Sequence, residues 1–559
     1  MSDPGPPSVG LGLALRTLRG LPPGRVLRRF ARPLRGTSRR LAHVLGAGPG
    51  GVEPAAISRL DGLPVPERTW TPPASFRFLG VARDLGPTCD WSVAPTRLWG
   101  YHLHYLDALR EAQPQDVRLA LLDRWTSANA FASRPGWEPF PTSLRIVNAL
   151  ELLLGAADAE RASRADAIAL QAWWLEANLE RDLGANHLWK NGLALAWAGR
   201  CLRGRKASRW RSRGDAIVTR ELAAQLLGDG FHVERAPGYH AVFVDDLIRL
   251  ERLLRANGEA DGTFGLGVID ARRRAASALA SVLHPDGEIP LFNDSAFGQA
   301  PATAWILDRA AGLDGGARPA ADPRGAPSAG FHRLAGRRSV VLFDAGEIGW
   351  DEQPGHAHAD TLSYELSFGD TRVVVDAGVY DYAPTVRRAY ARGTQSHNTL
   401  ELDGLDQSEM WGAFRVGRRA RPFAVSREVR EGLCAIEASH DGYRHLPGGP
   451  MHRRRMEHLG GDAWRVDDAV VGAGDHRAAS RLRLHPAFSV VARDGDRLTA
   501  SAGGVVVRVI AESPAVLDVE EGRYFPQFGV EERCLVVRLD ASGSLPLRLC
   551  YRLELDKRS

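Results

Sequence analysis

Two periods of apolar residues divide the chain. From about residue 95 to 310 they recur every three or four positions, as in Leu144, Val147, Leu150 and Leu154, then Leu170, Trp173, Trp174 and Ala177. Such spacing turns one face of a helix toward a core. Further faces of this kind fall in 215–228, 240–256 and 269–284, separated by breaks such as Gly228-Asp229-Gly230 and His284-Pro285-Asp286-Gly287. Successive helical hairpins of similar length predict an (α/α) toroid or bundle. Beyond a Gly-, Ala- and Pro-dense stretch at 313–327 the period becomes two. Tyr364, Leu366 and Phe368 alternate with Glu365 and Ser367, and short runs at 339–343, 372–375, 399–402, 505–510 and 534–539 end at Gly, Asp or Pro. That texture predicts an antiparallel β-sandwich. The expected organisation is multidomain α+β: a leader at 1–65, an (α/α) toroid at 66–312, a linker at 313–327 and a β-sandwich at 328–559.

Composition keeps the chain among folded proteins, with 559 residues, 44% hydrophobic and 25% charged. No apolar run reaches the ~18–20 residues of a membrane helix. The net charge of +5 is unevenly placed. Ten arginines fall in the first 60 residues against Asp3 and Glu53, so the rest of the chain is slightly acidic. No nucleic-acid partner is expected, and any groove for an acidic ligand must be local. The Arg-rich head reads as a solvated tail or helix face, with contact to anionic lipid as the alternative. Five scattered cysteines without a CxxC pair argue against a disulfide framework and against a Cys-based metal knuckle. Val9–Leu15 is apolar but lacks a basic segment before it and a small-residue cleavage site after it, so no export signal is expected.

The densest chemistry lies in Gly355-His356-Ala357-His358-Ala359-Asp360, with Asp376 and His397 downstream. Three His and one or two Asp can hold a zinc ion and leave one imidazole for proton transfer. A hairpin turning at Gly369-Asp370 would put Asp376 opposite Ser363, with His358 ~17 Å away along an extended strand. A shared metal therefore requires 356–360 to curl back as a loop. Other clusters have plainer readings. Asn186 suits a helix N-cap with His187 beside it. Glu234-Arg235-Ala236-Pro237-Gly238-Tyr239-His240 reads as a turn feeding a helix, and Phe292-Asn293-Asp294 as turn chemistry. Trp99 and Tyr101, in Trp99–Tyr105, pack in the core or form a sugar platform.

Taken in order, these stretches resemble the heparinase II/III superfamily of polysaccharide lyases, alginate and oligoalginate lyases included. The resemblance rests on Trp99–Tyr105, Trp137–Asn148, Asn186–Leu195, Glu234–His240, Pro285–Asp294, Gly355–Leu366, Val375–Tyr380 and Ser396–Gln407. It implies an active site in a cleft between toroid and sandwich. Asn186 and His187 would neutralise a uronate carboxylate. Tyr239 would be the catalytic acid, often the base too, and His356 the other proton-transfer group. His358, Asp376 and His397 would ligate one structural zinc. His240, Trp99, Tyr101, Arg392 and Asn293 would contact substrate. The implied partner is an acidic polysaccharide, in exopolysaccharide processing. The implied setting is the periplasm or cell envelope, against the cytoplasm suggested by the missing signal. Lys190 stands where some heparinases carry Glu, which weakens transfer of heparin specificity. Two other classes compete: a toroid-type glycoside hydrolase built on two carboxylates, and a glycan-binding protein without turnover.

Overall fold

The computed structural model describes residues 11–557 apart from 32, 33, 35, 58, 59, 61, 63, 431, 513 and 514. The first ten residues of the expected leader, Val9 included, lie outside the described residues. The chain divides into two compact units. One comprises Leu21–Leu226 and Asp245–Arg273, and the other Met1–Gly20, Leu227–Val244 and Arg274–Ser559. No helix among the described residues is long and apolar enough to cross a membrane.

The first unit is helical, with Arg97–Tyr105, Gln115–Ala128, Pro139–Leu154, Asp158–Ala177, Ala185–Cys201 and Arg205–Gln225 in succession. The last of these begins ten residues before the expected 215. Its opening turns are polar at most positions, yet Ala207, Trp210, Gly214, Ile217 and Val218 keep a buried stripe through them. Ala185–Cys201 is buried at nearly every position, which glycine makes feasible. A Cβ on Gly199 or Gly214 would collide with the backbone of Arg211 or Ala196, so the two helices touch main chain to main chain. Buried ion pairs tie the bundle further, with Arg249 to Glu151 at 2.7 Å, Lys190 to Asp246 at 2.7 Å and Arg272 to Glu251 at 2.9 Å.

The second unit is mainly antiparallel sheet. A five-stranded sheet orders Thr371–Val374, Tyr364–Phe368, Ser339–Asp344, Phe331–Ala335 and Gly325–Ala326. A four-stranded sheet contains Leu400–Leu402, Asp475–Arg483, Glu532–Ser544 and Val516–Tyr524. In an eight-stranded sheet the last strand, Leu547–Lys557, inserts between Ala463–Val471 and Val505–Ala511. Alternate residues such as Val466, Val507, Val509, Leu549, Tyr551 and Leu553 enter one core that also takes Tyr364, Leu366 and Leu400. The expected hairpin at Gly369-Asp370 is present, pairing Thr371 with Phe368, with a bulge between Arg372 and Val374. An α+β chain results, with a helical N-terminal part and a C-terminal β-sandwich.

Candidate active site and metal centre

In the second unit, Tyr239 stands in the first turn of helix Pro237–Ala256, where proline suits the opening position. The turn before it is fixed to the 293–299 segment. Gly238 N donates to Ser295 Oγ at 3.1 Å, and Asn293 Nδ2 donates to the Arg235 carbonyl at 3.0 Å. His356 ends a short 3-10 turn at Pro354–His356, and its carbonyl accepts from Asp294 N at 3.0 Å. The Tyr239 and His356 rings lie 4.1 Å apart between centroids. The Tyr239 hydroxyl is 3.1 Å from that of Tyr382. Asp294 Oδ2 lies 2.9 Å from His356 Nδ1, and Glu234 Oε2 is 3.7 Å from His356 Nε2.

Asp294 is the hub. Its other oxygen lies 2.8 Å from His358 Nε2, and Arg388 spans both oxygens, with Nη2 at 2.8 Å from Oδ2. Burial alone would raise this carboxyl, but Arg388 and the two imidazoles outweigh it and hold it well below the usual carboxylate range. Asp294 beside Nδ1 favours the His356 tautomer with its proton there and the lone pair on Nε2. Burial raises the Tyr239 phenol, Asp294 and Glu234 add to that, and Tyr382 and Arg388 oppose it. Tyr239 is therefore a proton donor in this state.

The 356–360 segment does curl back. Ala359 N donates to the Arg392 carbonyl, Ser363 N to that of Asp360 and Leu362 N to that of Asp344. One ligand atom from each of His358, Asp360 and His397 then falls within 4.8 Å of the others. All three side chains are buried, and His358 Nδ1, Asp360 Oδ1 and His397 Nε2 have no hydrogen-bond partner among the described residues. Buried polar atoms are rarely left so, and two imidazoles with a carboxylate fit a metal ion. Burial pushes the Asp360 carboxyl up to about 6 although His397 pulls it down, and burial takes His358 down to about 3. Asp376, expected among the ligands, is instead engaged through Oδ2 with His397 Nδ1 at 2.8 Å. Asp360 takes its place in the triad. Asp294 on His358 and Asp376 on His397 then form an outer ring that fixes both imidazoles.

Several expected substrate contacts are already occupied. His240 is fully buried, with Nδ1 accepting from His232 N and Nε2 2.9 Å from the Ala275 carbonyl. The Asn293 amide is spent on the Arg235 carbonyl and, through Oδ1, on His358 N at 2.9 Å. Arg392 is buried and donates through Nε and Nη1 to the carbonyls of Ala357, Gly412 and Arg415, while its Nη2 has no hydrogen-bond partner among the described residues. These three build the loops rather than face solvent. In the helical unit, Asn186 lies within helix Ala185–Cys201 and the cap position falls to Gly184. His187 keeps a side-chain exposure of 27%, with Nδ1 3.2 Å from Glu180 Oε1. Trp99 is 1% exposed, packed edge-on against Phe78, with its indole N–H given to the Val81 carbonyl, so its face offers no platform. The Tyr101 hydroxyl is held by Glu138 and Arg97.

Glu234, Asp294, Tyr382 and Arg388 were not expected in the site. Arg235, Asn293 and Leu362 are among ten described non-glycine residues of positive φ, at 52°, 56° and 66°. Each adjoins one of the motifs, and such conformations cost about 1–3 kcal/mol, a strain that gathers at functional sites.

Residues 158–308 match the Heparinase II/III N-terminus family and residues 318–551 the Heparinase II/III-like, C-terminal family. FtsZ-localized protein C of Caulobacter vibrioides is 26% identical over 444 residues, 72% of each chain. Heparin-sulfate lyase of Pedobacter heparinus is 28% identical over 225 residues, 35% of this chain and 32% of that one. Among solved structures, heparinase III superposes with a TM-score of 0.65 at 18% identity, covering 84% of this chain and 80% of the other. Heparan sulfate lyase HepC of Pedobacter heparinus gives 0.59 at 18% identity, covering 86% and 81%. With both halves of the family matched in order across more than half its length, the chain belongs to the heparinase II/III family of polysaccharide lyases.

Proposed function

We propose that the protein cleaves an acidic polysaccharide by β-elimination beside a 4-linked uronate, leaving a 4,5-unsaturated end. The observation that carries this reading is the close Tyr239–His356 pair, one a protonated phenol and the other an imidazole oriented by Asp294. His356 Nε2 takes the C5 proton. The electron pair of that bond becomes the C4–C5 double bond, the C4–O bond breaks, and the Tyr239 hydroxyl protonates the departing oxygen. A placed acid or base contributes roughly 10²–10⁴ in rate. Neutralising the uronate carboxylate lowers the cost of the enolate-like charge, a task suited to the Asn186 amide and His187. Each such donor is worth about 10²–10³.

His358, Asp360 and His397 would hold a zinc ion, with Asp376 bracing His397. Zinc there supplies charge that neutralises Asp360 and pins the loop carrying His356. The test of function is a screen of alginate, heparan sulfate, hyaluronan and bacterial exopolysaccharides for ultraviolet absorbance of the new double bond. Reducing ends without that absorbance would mean a hydrolase, and binding without either would mean a glycan-binding protein.

The N-terminal segment supports a second reading, of contact with anionic membrane surfaces. Leu27, Phe30, Leu34, Leu41, Val44 and Leu45 are exposed beside Arg28, Arg29 and Arg40, and no acidic residue occurs between Asp3 and Glu53. Apolar and cationic side chains together suit a charged bilayer face. Sedimentation with phosphatidylglycerol vesicles, absent with phosphatidylcholine alone and lost in Leu27→Glu/Phe30→Glu, checks it.

A further inference from the structure

The β-sandwich carries a groove of about 1130 Å³ whose lining shares no residue with the Tyr239–His356 site or the metal triad. It is bounded by Asp475–Arg483 and Glu532–Ser544 of the four-stranded sheet and by Ala463–Val471 and Leu547–Lys557 of the eight-stranded one. Its floor is low, with Ala479, Ala541 and Ser542, and its walls are cationic, with Arg465, Arg477, Arg481, Arg538 and Arg548.

Five arginines line the groove with three carboxylates, and Asp467 and Glu520 stand beside it. Arg465 is paired with Glu512 at 2.8 Å, Arg538 with Asp540 at 2.7 Å and Arg548 with Asp467 at 2.8 Å. Arg477 is exposed. Arg481 is 8% exposed, bonded through Nε to Glu520 at 3.2 Å, yet its Nη1 has no hydrogen bond. Glu401 lies 3.5 Å from both Nη1 and Nη2, with only the Nη2 contact a long hydrogen bond. A buried guanidinium with an unused N–H on a groove wall is a donor awaiting an acceptor.

Two features narrow the ligand. The volume exceeds the ~300–1,000 Å³ of ordinary small-molecule pockets, so an oligomer fits better than a single sugar. None of the lining residues is aromatic, so a neutral sugar ring has nothing to stack on and recognition must run through charge. We propose that this groove is a second, non-catalytic binding site for the acidic polysaccharide, gripping through carboxylate or sulfate groups a stretch of chain other than the one being cut. The identity of the ligand rests on the lyase reading above, while its anionic character rests on the groove alone.

The experiment uses the full chain with Tyr239→Phe to suppress turnover. Alginate, heparan sulfate and hyaluronan are titrated into it calorimetrically at low and high salt, with dextran as the neutral control. Arg477→Ser/Arg548→Ser, both at exposed positions, should weaken the polyanion that binds by about tenfold or more and flatten its salt dependence. Arg477→Lys/Arg548→Lys should keep part of the binding, which guards against a misfolded serine variant. With Tyr239 restored, the serine pair should raise KM for the polymer while leaving kcat, and KM for a tetrasaccharide, unchanged. Equal polyanion affinity with and without the two arginines overturns the proposal, as does a KM rise shared by polymer and tetrasaccharide. Binding that survives when no polymer yields a double bond upholds the groove and sinks the lyase reading instead.

Discussion

Two buried clusters in the β-rich unit are built from the same residue types and behave oppositely. Inside the sandwich, Gly442 N donates to His440 Nδ1, His440 Nε2 lies 3.0 Å from His452 Nδ1, and His452 Nε2 lies 2.7 Å from Asp468. Arg454 and Ser480 complete the Asp468 carboxylate at 2.7 Å and 2.6 Å. With His440 Nδ1 accepting, each imidazole in turn donates from Nε2, and every polar atom of this chain is used. At the other cluster Asp294, Arg388 and His358 are just as buried and His356 is partly exposed, but the network ends on His358 Nδ1, Asp360 Oδ1 and His397 Nε2 without partners among the described residues. Burial and composition do not separate structure from function here. Unfinished hydrogen bonding does.

The largest effect that would break this contrast is chemical. Tyr239→Phe or His356→Ala should lower turnover by about 10²–10⁴ and leave the melting temperature nearly unchanged, read by double-bond absorbance and calorimetry. Near-normal turnover in either variant removes it from the chemistry. The matching change in the closed cluster, Arg454→Met, should do the reverse. It strands Asp468 as a buried charge, costs about 3–5 kcal/mol of stability, and leaves metal content intact in protein that still folds.

Acid should find the closed cluster as well. Burial lowers His440 and His452, so the unfolded chain binds protons they refuse in the fold, and stability falls as pH drops below about 6.5. Asp468 is depressed too, because Arg454 and His452 outweigh its burial. It contributes stability above its unfolded value of about 3.9 and loses it as pH falls toward the folded one. Denaturant midpoints measured from pH 8 to 3 should hold level at the alkaline end and decline below about pH 6.5, and a flat profile would show that these groups carry no linkage.

How far the chain announced this contrast differs from residue to residue. His356, His358 and Asp360 stand together in sequence, and the hairpin after them follows from alternation and Gly369. Asp294 gave no such sign. It reads as the end of a turn, and its meaning comes from side chains 62 to 94 positions away. Arg388 is equally silent, one arginine among many until it faces Asp294. Trp99 and His240 mislead in the opposite sense, since aromatic and imidazole groups suit both sugar contacts and cores, and only their neighbours decide. Asn293 carries a local clue, because asparagine tolerates a left-handed φ better than most residues, but its use as a brace for the His358 loop is non-local.

The finest distinction lies within the candidate metal centre, between a proposed ligand and the group that would orient one. Asp360→Asn removes a charged donor aimed at the triad, whereas Asp376→Asn leaves the triad intact and loosens only the His397 ring. Chelator competition should therefore show metal lost from the Asp360 variant, and affinity reduced by about 10–100-fold in the Asp376 variant. Chelation of the unaltered protein should lower the melting temperature, because a bound ion would neutralise a carboxyl that burial has already pushed toward protonation. If the Asp376 variant loses metal outright and the Asp360 variant keeps it, the roles are exchanged. The partnerless Asp360 oxygen would then mark strain in the loop rather than a coordination position.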